Sequence, residues 1–244
     1  LSITQAMVLA AGLGTRMRPL TERTAKPLLP LGGRTLLDHA IDRLHAVGVS
    51  RVVVNTHWQA ELVQRHLARR KTGPEIVLQP EATLLETGGS VAAALASGAL
   101  ENAPFYVVNG DSFWMDGPAP TLLRMAAEFD SAELDSLLLV HRAFQVHGEV
   151  GRGDFSVDPW GKPRRRRERE VAPYIYAGLQ LATPALFANP PPPPFSTNVV
   201  WDRAIQAGRI RAVVHDGLWF HLSRPQDLSE AEIALHANET GETR

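Results

Sequence analysis

An apolar strand that runs directly into a glycine turn opens this chain: Ala6-Met7-Val8-Leu9-Ala10-Ala11-Gly12-Leu13-Gly14-Thr15-Arg16-Met17-Arg18-Pro19-Leu20-Thr21, followed shortly by Lys26-Pro27. Without Cβ atoms, Gly12 and Gly14 let the backbone turn sharply and aim several N–H groups at one anion. Arg16 then supplies a planar fork for phosphate oxygens, and Lys26 a mobile point charge. The order suits phosphate. Two familiar phosphate loops do not fit it. A dinucleotide fingerprint needs a glycine or alanine three residues after Gly14, where Met17 stands. A P-loop needs Gly-Lys-Ser/Thr, a triplet the chain lacks.

The rest of the first half alternates strand and helix patterns. Met7 to Ala10 reads as a buried strand. Thr35 to Val47 reads as a helix, because Leu36, Leu37, Ala40, Ile41, Leu44 and Val47 recur at helical spacing before Gly48. Strands are predicted at Arg51 to Asn55, Glu75 to Gln79 and Phe105 to Val108, with helices at Gln59 to Arg69 and Gly88 to Ala99. This is the pattern of βαβ units and a largely parallel sheet, whose ligands gather at the carboxyl ends of the strands. Both the glycine loop and Asp111 fall at such ends. The second half reads as shorter strands, at Leu137 to Val140, Asp154 to Val157, Tyr174 to Ala182 and Arg211 to Val214. Pro190 to Pro194 is predicted as an extended surface loop, and Asn238 to Arg244 as a frayed tail.

Composition narrows the partners. At 244 residues the chain suits one α/β domain. A net charge of −1 argues against bulk binding of nucleic acid, despite the local run Arg164 to Arg167 with Arg169. There is no cysteine, hence no disulfide framework, thiolate metal site or Cys nucleophile. No apolar stretch is long enough for a membrane span, and no leader pattern is read at the N-terminus. A small-molecule partner and a cytoplasmic location are therefore expected, and a monomer as well, since no heptads or long exposed apolar helix are evident.

The opening run with Lys26-Pro27, together with Val107-Val108-Asn109-Gly110-Asp111 and Tyr176-Ala177-Gly178-Leu179-Gln180, resembles the sugar-1-phosphate nucleotidylyltransferases over nearly the whole chain. Leu85-Glu86-Thr87-Gly88-Gly89 and Gly151-Arg152-Gly153-Asp154-Phe155 are similar to the small N-acetylmuramate-1-phosphate uridylyltransferases of bacterial cell-wall recycling. Mannose-1-phosphate guanylyltransferases share the first signature but usually carry a longer C-terminal region. The resemblance implies a three-layer α/β/α Rossmann-like nucleotidyltransferase fold with a mixed, mostly parallel sheet. It also implies a single domain, with a nucleotide-binding half at 1–112 and a sugar-binding half at 113–237.

The same resemblance implies a reaction in which a sugar-1-phosphate oxygen attacks the α-phosphorus of a nucleoside triphosphate, releasing pyrophosphate. Arg16 and Lys26 are then the catalytic cations, with Ala11, Gly12, Gly14 and Thr15 cradling phosphate. Gln79, Glu86, Thr87 and Gly88 are expected around the base. Asn109, Gly151, Asp154, Tyr176, Gly178 and Asn198 are expected around the sugar. Asp111 is the expected Mg²⁺ ligand, with Mn²⁺ as an alternative. One region departs from the family pattern: Trp219-Phe220-His221-Leu222-Ser223-Arg224-Pro225 puts His221 where a second metal-binding Asp is usual. His221 can bind a softer ion, contact phosphate or leave the metal to Asp111 alone. The arginine run reads as a solvated hairpin, with capture of a lactyl carboxylate as its other reading. A guanylyltransferase, or a homologue that binds nucleotide without turnover, stays open as an alternative.

Overall fold

A computed structural model describes residues 2–146 and 151–240. The first half holds β1 (Gln5–Leu9), the small hairpin β2 (Pro30–Leu31) and β3 (Arg34–Thr35), α1 (Leu36–Ala46), β4 (Arg51–Thr56), α2 (Ala60–Leu67), β5 (Glu75–Pro80), α3 (Glu86–Ala96) and β6 (Phe105–Asn109). The second half holds β7 (Phe113–Met115), α4 (Thr121–Glu128), β8 (Ser136–Arg142), β9 (Phe155–Val157), β10 (Pro163–Arg165), β11 (Tyr174–Ala182), α5 (Thr197–Gln206), β12 (Ile210–Val214), β13 (Leu218–Phe220) and α6 (Pro225–Thr240).

Nine of these strands make one mixed sheet. β6, β1, β4 and β5 lie side by side and parallel. The crossover direction reverses at β1, so a crevice opens at its carboxyl end. β11 then joins antiparallel to β6, and its other edge carries β8 and, beyond it, β12. Near Tyr174 the β6 side of β11 is taken over by β9 and β10. The register of β11 shifts between Tyr176 and Gln180, where Gly178 adopts φ +74.

Strand alternation sorts the core into two faces. Ala6, Val8, Val52, Val54 and Val108 face the layer that includes α1, α2 and α4, burying Leu37, Ile41, Leu44, Val63 and Met125. Met7, Val53 and Val107 face α3 and α5, burying Val91, Ala94, Val200 and Trp201. A third cluster joins Met17, Leu29, Leu31 and Leu36 to Phe113, Phe220, Leu222, Leu228 and Ala231. It backs the glycine loop with β7, β13 and α6. The three-layer arrangement is the one expected from the sequence, and the described residues hold no helix long and apolar enough to cross a membrane.

The differences lie mostly in the second half. Helices α4, α5 and α6 are absent from the periodicity reading. α3 starts two residues early, at Glu86. α6 runs on to Thr240, through the first three residues of the expected tail, and 241–244 lie outside the described residues.

Candidate active site

The glycine loop is shaped by two different uses of glycine. Gly14 sits in the left-handed region at φ +62, where a Cβ would meet Thr21 and Lys26 side chains at 3.0 and 3.2 Å. Its carbonyl accepts a 2.7 Å hydrogen bond from the Thr21 hydroxyl. Gly12 has open space where a side chain would project. One glycine closes the turn and the other leaves room.

A cleft of about 550 Å³ opens beside this loop. Ala11, Gly12, Gly14, Thr15, Arg16 and Lys26 line it, with Glu86 and Thr87 from the start of α3 and Asn109 and Asp111 from the end of β6. Most of the expected phosphate and base residues therefore share one cavity. Glu86 has φ +61, a costly backbone conformation for a side-chain-bearing residue, on the cleft wall. The buried Lys26 ammonium donates to Asp111 Oδ2 at 2.6 Å. That pair fixes the cation at the carboxyl ends of β1 and β6 while leaving the carboxylate partly exposed.

Several lining residues lie beyond the sequence reading, Asn55, Glu81 and Ser90 among them. Asn55, next to last in β4, accepts from the Ala10 amide at 2.7 Å and donates to Glu81 Oε1 at 2.9 Å. The Ser90 hydroxyl donates to the same Glu81 oxygen at 2.6 Å. Glu81 is buried, and both of its oxygens accept bonds, the second from the Leu85 amide at 3.3 Å. A polar residue closing an apolar strand, as Asn55 does after Val52-Val53-Val54, is the signal that could have found this wall.

Gln79 departs from its expected place. It is absent from the described cleft lining, and its amide donates to the Ser90 carbonyl at 3.0 Å. Its oxygen is buried without a hydrogen bond. Gly88 also has a different purpose from close approach to a base. A Cβ there would collide with the ring of Phe195, and the amides of Gly88 and Gly89 donate to the Phe195 carbonyl at 2.9 and 3.0 Å. The segment after the proline loop is thus laid against α3.

That segment forms a second cleft of about 250 Å³, lined by Asp154, Tyr176, Asn198 and also Phe155, Arg165 and Trp201. Leu9, Thr87, Asn109 and Ser196 line both cavities. Asp154 Oδ2 accepts from the Tyr176 amide at 2.9 Å, and burial pushes the Tyr176 phenol far above its ordinary pKa. Gly151 and Gly178 stand apart from this lining. Gly151 is exposed at φ +67, and a Cβ on Gly178 would strike the Ser112 hydroxyl. Both glycines shape the chain rather than the cavity wall.

His221 follows β13, its ring tilted against that of Trp219 with centroids 5.6 Å apart. Burial lowers its pKa, the charges of Arg16 and Lys26 lower it further, and Asp227 and Asp111 oppose them. Burial and the two cations thus favour the neutral imidazole, and His221 is absent from the described lining of the first cleft. Among the described residues no three His, Asp or Glu side chains converge as a preformed metal cage. A single partly exposed carboxylate, Asp111, still fits a hard cation that arrives with phosphate oxygens and keeps most of its water.

A glycine loop at the switch point of a parallel sheet, with two cations and a carboxylate at its mouth, defines a nucleotide-handling α/β protein. Residues 5–143 match the nucleotidyl transferase family, and the chain belongs to it. It is 39% identical over 234 residues to N-acetylmuramate alpha-1-phosphate uridylyltransferase of Caulobacter vibrioides, covering 94% of this chain and 96% of that protein. Mannose-1-phosphate guanyltransferase of Neurospora crassa is 26% identical over 91% of this chain and 62% of its own length. In three dimensions the chain resembles a crystal structure of UDP-glucose pyrophosphorylase complexed with UDP-glucose. The TM-score is 0.76 at 15% identity, over 97% of this chain and 99% of that one, a likeness of fold.

Proposed function

We propose that this enzyme joins UTP and N-acetylmuramate 1-phosphate to give UDP-N-acetylmuramate and pyrophosphate. The observation that carries the proposal is the near full-length match, on both chains, to a uridylyltransferase of that specificity. Two cavities that meet at Leu9, Thr87, Asn109 and Ser196 support this reading.

The first cleft takes the nucleotide and the second the sugar, so the two phosphates meet at the shared wall. A sugar-phosphate oxygen attacks the α-phosphorus, the bond to the bridging oxygen breaks, and that oxygen leaves on pyrophosphate. The attacking oxygen is already anionic, so positioning and cations matter more than a general base. Arg16 and Lys26 offset charge on the departing pyrophosphate, and the amides around Gly12 and Gly14 hold phosphate oxygens. Asp111 would hold a Mg²⁺ or Mn²⁺ ion, which would neutralise phosphate charge when bound. Glu86 and Thr87 flank the base, while Asp154, Tyr176 and Asn198 face the sugar. The chain acts as one domain, with nucleotide and sugar halves at 1–112 and 113–237, as a cytoplasmic monomer in cell-wall recycling, without nucleic acid.

Glu81 supports a second reading. Its carboxylate can accept from uracil N3–H, and equally from N1–H and the 2-amino group of guanine. Pyrophosphate release from UTP or GTP, each with N-acetylmuramate 1-phosphate or mannose 1-phosphate, separates the two. Turnover confined to UTP with N-acetylmuramate 1-phosphate is expected. Turnover confined to GTP with mannose 1-phosphate establishes the guanylyltransferase, and nucleotide binding without turnover establishes a binding protein.

A further inference from the structure

The arginine run does not behave as a uniform solvated hairpin. Arg164 is held by Glu170, and Arg166 donates to the backbone carbonyls of Gly153, Arg167 and Glu168. Arg165 alone of the run lines the second cleft. Its guanidinium lies over the rings of Phe155 and Trp201, 4.8 and 5.5 Å from their centroids. Nε donates to Asp202 Oδ1 at 2.7 Å, and Nη2 to Asn198 Oδ1 at 2.8 Å. These contacts fix two of its three nitrogens and give Nη1 no hydrogen-bond partner among the described residues.

A fork held by stacking and by two anchored nitrogens loses little freedom when it binds an anion. The cations suited to the triphosphate, Arg16 and Lys26, line the other cleft. The polar residues expected around the sugar, Asp154, Tyr176 and Asn198, carry no positive charge, and Asn198 Oδ1 is already engaged by Arg165. Arg165 is the one cationic side chain in the described lining of this cavity, and its pairing with Asp202 leaves the Nη1 edge as the part that can receive a further anion.

We propose that Arg165 is a specificity-determining residue that selects sugar 1-phosphates bearing a carboxylate substituent, which its free Nη1 edge receives. The inference rests on the second cleft being the sugar site of the proposed reaction. Asp202 and Asn198 act as positioning residues that hold the fork in place.

The test uses two sugar phosphates that differ only in the lactyl ether, N-acetylmuramate 1-phosphate and N-acetylglucosamine 1-phosphate, with UTP as co-substrate. Arg165→Met keeps an apolar stem over Phe155 and Trp201 and removes the charge. It should raise KM for the acidic sugar about tenfold or more, the scale of a lost charge-assisted bond. KM for UTP and for the neutral sugar should stay within about twofold. Arg165→Lys should recover part of the loss, and its thermal midpoint, read beside that of Arg165→Met, checks that both fold. An equal rise for both sugars, or no rise for either, overturns the assignment. Wild-type enzyme that prefers the acidic sugar while Arg165→Met keeps the same preference overturns Arg165 and leaves the proposed function standing. Wild-type enzyme that uses only the neutral sugar overturns both.

Discussion

At the scale of single residues, the Lys26–Asp111 pair joins two groups that the reaction needs. The 2.6 Å contact holds a buried ammonium beside a half-exposed carboxylate. Lys26→Ala removes a cation and leaves Asp111 facing incoming phosphate as an uncompensated charge. It should lower kcat/KM by about a hundredfold or more, with a weakened affinity for UTP measured by calorimetry. Arg16→Ala should cost about a hundredfold in steady-state kinetics, because a bidentate phosphate partner is lost. Near-normal turnover in either variant would remove that cation from the mechanism. At position 221 the outcome tells two roles apart. His221→Asp introduces a hard oxygen ligand near Asp111, and Mg²⁺-dependent activity should be kept or raised. Collapse of activity with both Mg²⁺ and Mn²⁺ would assign the neutral imidazole a task that a carboxylate cannot perform.

At the scale of elements, the segment Pro190 to Phe195 turns a loop into part of the site. Phe195 is buried against Gly88, its carbonyl receives two α3 amides, and its own amide donates to the Leu85 carbonyl at 3.1 Å. Ser196 then caps α5 by accepting from the Asn198 amide, and Thr197 is tied to the Thr87 hydroxyl. Phe195→Ala should cost about 3 kcal/mol in denaturant unfolding, by leaving a cavity between α3 and α5. It should also raise KM for the sugar phosphate, since Ser196 and Asn198 lose their backing. An unchanged KM would mean that α5 keeps its place without this anchor. The same elements explain what the sequence discloses. Strand, glycine turn and cations of the first cleft are neighbours along the chain, so local pattern was enough to read them. The second cleft gathers Asp154 and Phe155 at β9, Arg165 from β10, Tyr176 from β11 and Trp201 from α5. Arg165 is indistinguishable along the chain from its solvated neighbours until Trp201 and Asn198 are folded against it. Gln79 lies apart from the described cleft lining for a related reason: its position near the end of β5 is as expected, but a carbonyl of α3 claims its amide.

At the scale of the whole molecule, buried histidines set an acid limit on stability. His141 and His215 are 4% and 2% exposed, with rings 5.9 Å apart. Burial is the main cause that lowers both pKa values below the ordinary 6.5. The unfolded chain therefore binds more protons than the folded one below that value, and stability falls as pH drops through it. The thermal midpoint should be level above about pH 7 and decline steadily toward about pH 5. A flat profile across that span would mean that the pair takes up protons without cost to the fold. A different consequence follows from the third core cluster, which backs Met17, Leu29 and Leu31 with Phe220, Leu222 and Leu228, and from Glu232, which accepts the Gly32 amide at 2.9 Å. As the chain is synthesised, the signature loop emerges first and its back wall last. A nascent chain holding all of residues 5–143 would display the family's sequence in full and still lack the support that sets its loop, so substrate binding should begin only once translation has passed the start of α6.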